Sequence, residues 1–189
     1  MSFPSSSMPA ESSIAEKVCA ELICRTAEAN AALMRGDIDA YRALNPHTAD
    51  YTLMSPFGGR PTHEAELTQE RWQAIGHFFA NGTFEQEVVQ AYASADMVVL
   101  AVIERCRVEV GGLPMQDWPL RVTLVYRREG AEWRLAHRHA DPLAKGISLE
   151  QAGVLARGEA LGCQPTRIFD ELHPANSGSE MGGLSGSRR

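Results

Sequence analysis

The sequence predicts an α+β domain in which a strongly curved antiparallel sheet folds around N-terminal helices and encloses a small pocket. Three observations carry this. Apolar residues recur at helical spacing as far as Asn81-Gly82. Long strand-like runs follow with no helical pattern between them. The links between those runs are short turns, which suit an antiparallel meander and leave no length for a crossover helix. Helices first and strands after is the order of an α+β domain, not of alternating βαβ units.

Residues 1–11 are Ser/Pro-rich and read as a disordered N-terminus, and the domain itself is expected over residues 12–145. Ser13 followed by Glu16 has the pattern of a capping box, and Ile14, Val18, Leu22, Ala29 and Leu33 then keep helical spacing up to Gly36. Asp37 can cap a short second helix carrying Ile38, Tyr41 and Leu44, which Pro46 closes. Tyr51 to Met54 reads as a first strand, stopped by Pro56-Phe57-Gly58-Gly59. A third helix is expected from about His63 to Ala80, with Leu67, Trp72, Ile75, Phe78 and Phe79 as its apolar stripe and Asn81-Gly82 as its stop.

Four strand runs come next: Phe84 to Tyr92, Met97 to Val110, Met115 to Arg128 and Glu132 to Ala140. Their turns are Ser94-Ala95-Asp96, Gly111 to Pro114, and Glu129-Gly130-Ala131. A C-terminal helix is expected within residues 146–160, its amphipathic part running from Ser148 to Ala160. Residues 161–189 read as a flexible tail, Ser/Gly-rich beyond Pro174.

Composition narrows the functional classes. Hydrophobic residues make up 44% of the 189 residues and charged residues 22%, which is enough to build one core. The formal net charge of -6 argues against nucleic acid and anionic membranes as principal partners, since both call for basic patches. No apolar run has bilayer length, and the first residues carry neither the basic nor the apolar region of a secretory signal. Cys19, Cys24, Cys106 and Cys163 form no CxxC pair and no metal-finger spacing. They read as free thiols of a cytoplasmic protein.

Alternation along strands sorts side chains by face. In the run from Met97, Val98, Leu100, Val102, Glu104 and Cys106 share one face, while Val99, Ala101, Ile103, Arg105 and Arg107 share the other. Both faces begin apolar, so both are expected to be covered, one by helices and one by a second subunit. A Gly111-to-Pro114 loop sets Glu104 opposite Arg121, a sensible cross-strand pair. A Glu129-to-Ala131 loop sets Thr123 opposite His137 and Arg121 opposite His139. Glu104, Arg121, Thr123, His137 and His139 then gather on one face among Val102, Val125, Trp133 and Leu135. A one-residue slip would move a whole set to the other face.

The stretch from Asp117-Trp118-Pro119 through Arg127-Arg128-Glu129-Gly130, Trp133 and His137-Arg138-His139 to Asp141-Pro142 resembles the final hairpin of SnoaL-like proteins, within the nuclear transport factor 2-like or ketosteroid isomerase-like superfamily. The association domain of calcium/calmodulin-dependent kinase II has a similar ending. The likeness extends over residues 14 to 145 in the order of elements. It implies a cone-shaped half-barrel of the cystatin-like kind, helices closing the concave side, and homodimerisation through the outer face of the sheet. It does not choose an activity, because the superfamily holds isomerases, cyclases, dehydratases and non-catalytic modules. Where ketosteroid isomerases carry a general-base Asp before a Pro, this chain has Ser55 before Pro56, and a hydroxyl does not replace that carboxylate unaided.

His137 and His139, with Glu104, are the candidate acid–base groups, since an imidazole titrates near neutrality and a buried carboxyl can shuttle a proton. The plainer alternative makes them hydrogen-bonded structural residues. Arg121 and Thr123 are candidate polar contacts for a ligand, and Tyr51, Ser55, Trp72 and Phe79 candidate walls. The two histidines with Glu104 or Asp141 have the makings of a metal site, but no third histidine has a clear place beside them, so no metal and no cofactor are expected. The arginine group Arg105, Arg107, Arg127, Arg128, Arg134 and Arg138 reads as solvated surface or interface rim. The favoured function is binding of a small, partly apolar molecule in the cone. The alternatives are a cofactor-free isomerase, cyclase or dehydratase, and a non-catalytic protein-interaction module.

Overall fold

A computed structural model describes the backbone of residues 9–158 and the side chains of residues 15–158. Of the residues 1–11 expected to be disordered, 1–8 lie outside the described residues and 9–11 are helical; the tail expected over 161–189 also lies outside the described residues. The elements are α1 (Pro9–Met34), α2 (Ile38–Leu44), β1 (His47–Met54), β2 (Thr62–His63), a 3-10 turn (Glu64–Glu66), α3 (Gln69–Phe78), β3 (Phe79–Ala93), β4 (Met97–Val110), β5 (Leu113–Glu129), β6 (Glu132–Pro142) and α4 (Leu149–Ala156). The described residues up to Ile147 form one compact unit, and α4 belongs to a second. Ser148 caps α4 through a reciprocal capping box with Gln151.

The sheet is curved and open, with strand order β2-β1-β6-β5-β4-β3. Strands β3 to β6 form the expected antiparallel meander, but β1 joins it parallel to β6. Helix α1 packs on β3 and β4, and the core joins Leu22 and Ala29 of α1 to Val98, Leu100, Val102, Val122, Leu124, Tyr126 and Leu135 of the sheet. Tyr41, Tyr51 and Trp72 extend that core toward α2, β1 and α3.

Several boundaries differ from expectation for local reasons. Helix α1 begins at Pro9, so Ser13 lies within it and not at its start. Strand β1 begins at His47 rather than Tyr51, because the Leu135 N–H donates to the Pro46 carbonyl (2.9 Å) and ties the chain to β6 from there. Helix α3 is shorter than His63 to Ala80. Thr62 and His63 pair with β1, and Thr68 is the true N-cap, its hydroxyl accepting from the Arg71 N–H. Phe79 and Ala80 are already strand. Gly82 does not stop a helix. A Cβ there would sit 2.6 Å from the Met34 carbonyl, so glycine lets β3 cross close to the end of α1.

The β4–β5 turn is tighter than a four-residue loop. Val110 pairs with Leu113 around Gly111-Gly112, whose φ angles of 56° and 82° suit a two-residue hairpin. An irregularity follows between Val108 and Val110, after which Glu104 faces Leu120, and Ile103 faces Arg121. In the last hairpin Glu129 pairs with Glu132, and a second irregularity leaves Ala136 extra on β6. Thr123 therefore faces His139, and Arg121 faces Asp141.

Candidate functional site

The first shift is one residue and reverses a face. Glu104 lies on the helix side of the sheet and is 1% exposed. Arg121, Thr123, His137 and His139 share the outer side. The expected five-residue cluster is thus divided by the sheet, and Glu104 and Arg121 do not pair.

The partner of Glu104 is Arg138, which alternation on β6 turns inward between the two histidines. Its guanidinium donates to both carboxylate oxygens, Nη1 to Oε1 at 2.8 Å and Nη2 to Oε2 at 2.7 Å. Asn30 of α1 adds a third donor through Nδ2 at 3.1 Å. Burial works against the charge on Arg138, but the Glu104 carboxylate outweighs it and holds the guanidinium pKa above its ordinary value. Arg138 therefore does not belong with the solvated arginines. The neighbouring polar residues are also satisfied. Tyr126 Oη lies 2.6 Å from Thr26 Oγ1 and donates to Asn45 Oδ1 (3.1 Å), while Asn45 Nδ2 donates to Tyr41 Oη (3.3 Å). These groups order the interior and leave Asn45 little to offer a ligand.

A cavity of about 380 Å³ opens beside this network, walled by Arg42 and Asn45 from the α2 end, His47 of β1, Glu64, Trp72 of α3 and Arg134 of β6. His47 is its chemical centre. From His47 to Thr52, β1 bulges against only Leu135 to His137 of β6, which brings the His47 and Tyr51 rings face to face at 3.7 Å. Nδ1 of His47 lies 2.7 Å from Glu64 Oε2, and the side chain is 5% exposed. A carboxylate accepts, so Nδ1 carries the proton. Burial lowers the His47 pKa from 6.5, the bond to Glu64 opposing it, so the ring is held neutral with Nε2 as a bare acceptor. That nitrogen is enclosed and has no hydrogen-bond partner among the described residues. Arg42 lies over the Trp72 ring, 5.3 Å from its centroid, and lends Nη1 to Gln69.

Of the expected walls, Trp72 lines this cavity and Tyr51 backs it. Ser55 and Phe79 do not. The Ser55 hydroxyl accepts from the Phe57 N–H in the turn after β1, and Phe79 packs on Phe78 beside Met34 and Val108. His47 and Glu64 were missed because they lie 17 residues apart and meet only through the turn before α3. His47 stands between an Asn-Pro turn and the apolar part of its strand, and no spacing rule marks it.

On the outer face, His137 Nδ1 lies 2.7 Å from Thr52 Oγ1, and His139 Nε2 lies 3.6 Å from Asp141. Partial burial and then the neighbouring His139 lower the His137 pKa. Arg121 is surface-exposed, 3.6 Å from Asp141. Among the described residues, no three His, Cys, Asp or Glu side chains converge to enclose a metal ion, and no helix is long and apolar enough to cross a membrane.

A curved open sheet closed on one side by helices defines the nuclear transport factor 2-like class of α+β proteins. Within it, the SnoaL-like domain family matches residues 25–144, and the chain belongs to that family. A candidate dehydratase of the NTF2-like family from Streptomyces avermitilis is similar over 71% of this chain and 99% of its own, at 20% identity and a TM-score of 0.56. An NTF2-like superfamily protein from Salmonella enterica serovar Typhimurium matches over 74% and 98%, at 15% identity and a TM-score of 0.59. A candidate ketosteroid isomerase from Shewanella frigidimarina matches over 64% and 94%, at 18% identity and a TM-score of 0.51. At these identities the likeness establishes the fold. Comparison with curated protein sequences gives no significant match.

Proposed function

We propose that this SnoaL-like domain binds a small, partly apolar molecule bearing a hydroxyl group, in the cavity beside His47 and Trp72, within the cytoplasm. The observation that carries the reading is Nε2 of His47, an acceptor without a partner on a ring that lines the cavity. An orphaned buried polar atom costs about 1–3 kcal/mol, which a ligand O–H would recover as the ring adjusts to meet it. Trp72 supplies apolar surface, and Arg42 offers its remaining N–H groups to an oxygen of the ligand.

Screening small hydroxylated metabolites by thermal shift tests this. A ligand at a hundred times its Kd adds about 2.7 kcal/mol to stability, a rise of roughly 5–10 °C for a chain of this size. The rise should vanish in Ala43→Trp, which fills the cavity, and weaken in His47→Gln. Stabilisation that survives both substitutions would place the ligand elsewhere.

The 2.7 Å contact between His47 and Glu64 favours a second, catalytic reading. With the ring adjusted so that Nε2 opens to the cavity, His47 would take a proton there from the bound molecule, its Nδ1–H still beside Glu64, then return it to another atom of the same molecule. That isomerisation changes no composition and needs no cofactor. Turnover lost in Glu64→Gln with ligand binding kept would support it, and turnover unchanged would remove it.

The outer face of β4 and β5 suits a second copy of the chain: Val99, Ala101, Ile103 and Val125 lie there, each half-buried. A homodimer in sedimentation that Ala101→Arg dissociates is the expected result.

A further inference from the structure

We propose that His137 and His139 form a chelating site for a divalent first-row transition ion, Zn²⁺, Ni²⁺ or Cu²⁺, on the outer face of the sheet. The site stands apart from the cavity and does not depend on the ligand reading. The two residues occupy alternate positions of β6, so both imidazoles leave the same face about 7 Å apart at the backbone. Their ring centroids are 6.4 Å apart, tilted by 59°.

That spacing is within reach of a shared ion. With metal–nitrogen bonds of ~2.0–2.1 Å, two imidazoles sharing one ion have centroids at most ~6.4 Å apart when linear, and ~5.2 Å apart at a tetrahedral angle. The observed spacing is thus that of a linear pair, and a tetrahedral site requires the rings to draw together by about 1 Å. His139 is 45% exposed, so an ion can reach it.

The surroundings suit the chemistry. Thr52 comes from β1, and its pairing with His137 puts Oγ1 2.7 Å from Nδ1. When Nδ1–H donates to that hydroxyl, Nε2 is left bare and its direction is set, which is how metal-bound imidazoles are commonly held. Imidazole nitrogens select zinc, nickel and copper over magnesium or calcium. Asp141, 3.6 Å from His139 Nε2, supplies negative charge nearby, but Arg121 at 3.6 Å competes for it. The ligand set is therefore two histidines, with the remaining positions open to water or to a residue of a second copy.

Calorimetric titration of the full chain with NiCl₂, read alongside imidazole NMR signals, tests the site. One Ni²⁺ per chain should shift the His137 and His139 resonances together. His137→Ala and His139→Ala should each abolish that event, and Thr52→Val should weaken it ~10-fold or more. His77→Ala, another exposed imidazole, should leave it unchanged. Far-UV circular dichroism confirms that each variant is folded. Binding that persists in both histidine variants, that His77→Ala removes, or that leaves the two resonances unmoved overturns the assignment.

Discussion

Replacing Arg138 by methionine should cost far more stability than any surface arginine does. The substitution removes two charge-assisted hydrogen bonds of 2.8 and 2.7 Å and leaves a carboxylate that is 1% exposed, with Asn30 as its remaining side-chain donor among the described residues. Breaking a buried pair by removing one partner costs about 3–5 kcal/mol, because the surviving charge stays out of water. Total stability of a domain is about 5–15 kcal/mol, so the loss is a large share of it. The midpoint of melting should fall by roughly 6–20 °C. Glu104→Leu should cost a similar amount by stranding the guanidinium. The double variant should recover most of the loss, since removing both charges removes both desolvation penalties. It should stay about 1–3 kcal/mol below the parent, because the Asn30 amide then lacks its acceptor. Urea unfolding at pH 7, followed by far-UV circular dichroism, measures all four corners of the cycle. A loss below about 1 kcal/mol in Arg138→Met, or a double variant equal to the sum of the singles, would refute a buried pair.

Acid should destabilise the fold through His47. Its pKa is lowered in the native state by burial, while the unfolded chain titrates near 6.5. The unfolded state then binds more protons just below that value, so the contribution is complete above pH 6.5 and shrinks as pH falls toward the lowered native pKa. Melting midpoints of His47→Gln should fall less steeply than the parent's between pH 6.5 and 5, some slope remaining from His137, whose pKa is also lowered. Equal slopes would show that His47 is not held neutral. Cysteine reactivity gives a separate check. Cys106 is buried beside Glu104 and its thiol is pushed up to about 12, mainly by burial, whereas Cys24 is exposed. Iodoacetamide on the native protein should label Cys24 and spare Cys106 until the chain is unfolded, as peptide mass spectrometry would report.

How much of this was legible in the sequence depends on which kind of signal each feature leaves. The helices-then-strands order and the inward set Val98, Leu100, Val102, Glu104 and Cys106 followed from spacing alone, because burial on one face writes a period of two into the chain. Helix α3 was overextended because Phe78-Phe79 continues an apolar stripe, and nothing local says that Phe79 turns extended to begin β3. Gly82 looked like a helix stop, but its reason is the Met34 carbonyl, a contact across 48 residues that no local pattern contains.

The candidate cluster failed for a reason of parity. In a sheet, a register error of two residues keeps every side chain on its face, whereas an error of one exchanges the faces. The last hairpin differed from expectation by two: a two-residue turn in place of three, then an extra Ala136. Arg121, Thr123, His137 and His139 therefore still share a face. The β4–β5 hairpin differed by one, which set Leu120 rather than Arg121 across from Glu104. The same parity places Arg138, flanked by two outward histidines, where it must meet a buried carboxylate. A His-x-His run on a strand beside an inward-facing acid thus carries its own correction: the residue between the histidines, not the histidines, is the partner to seek for that acid.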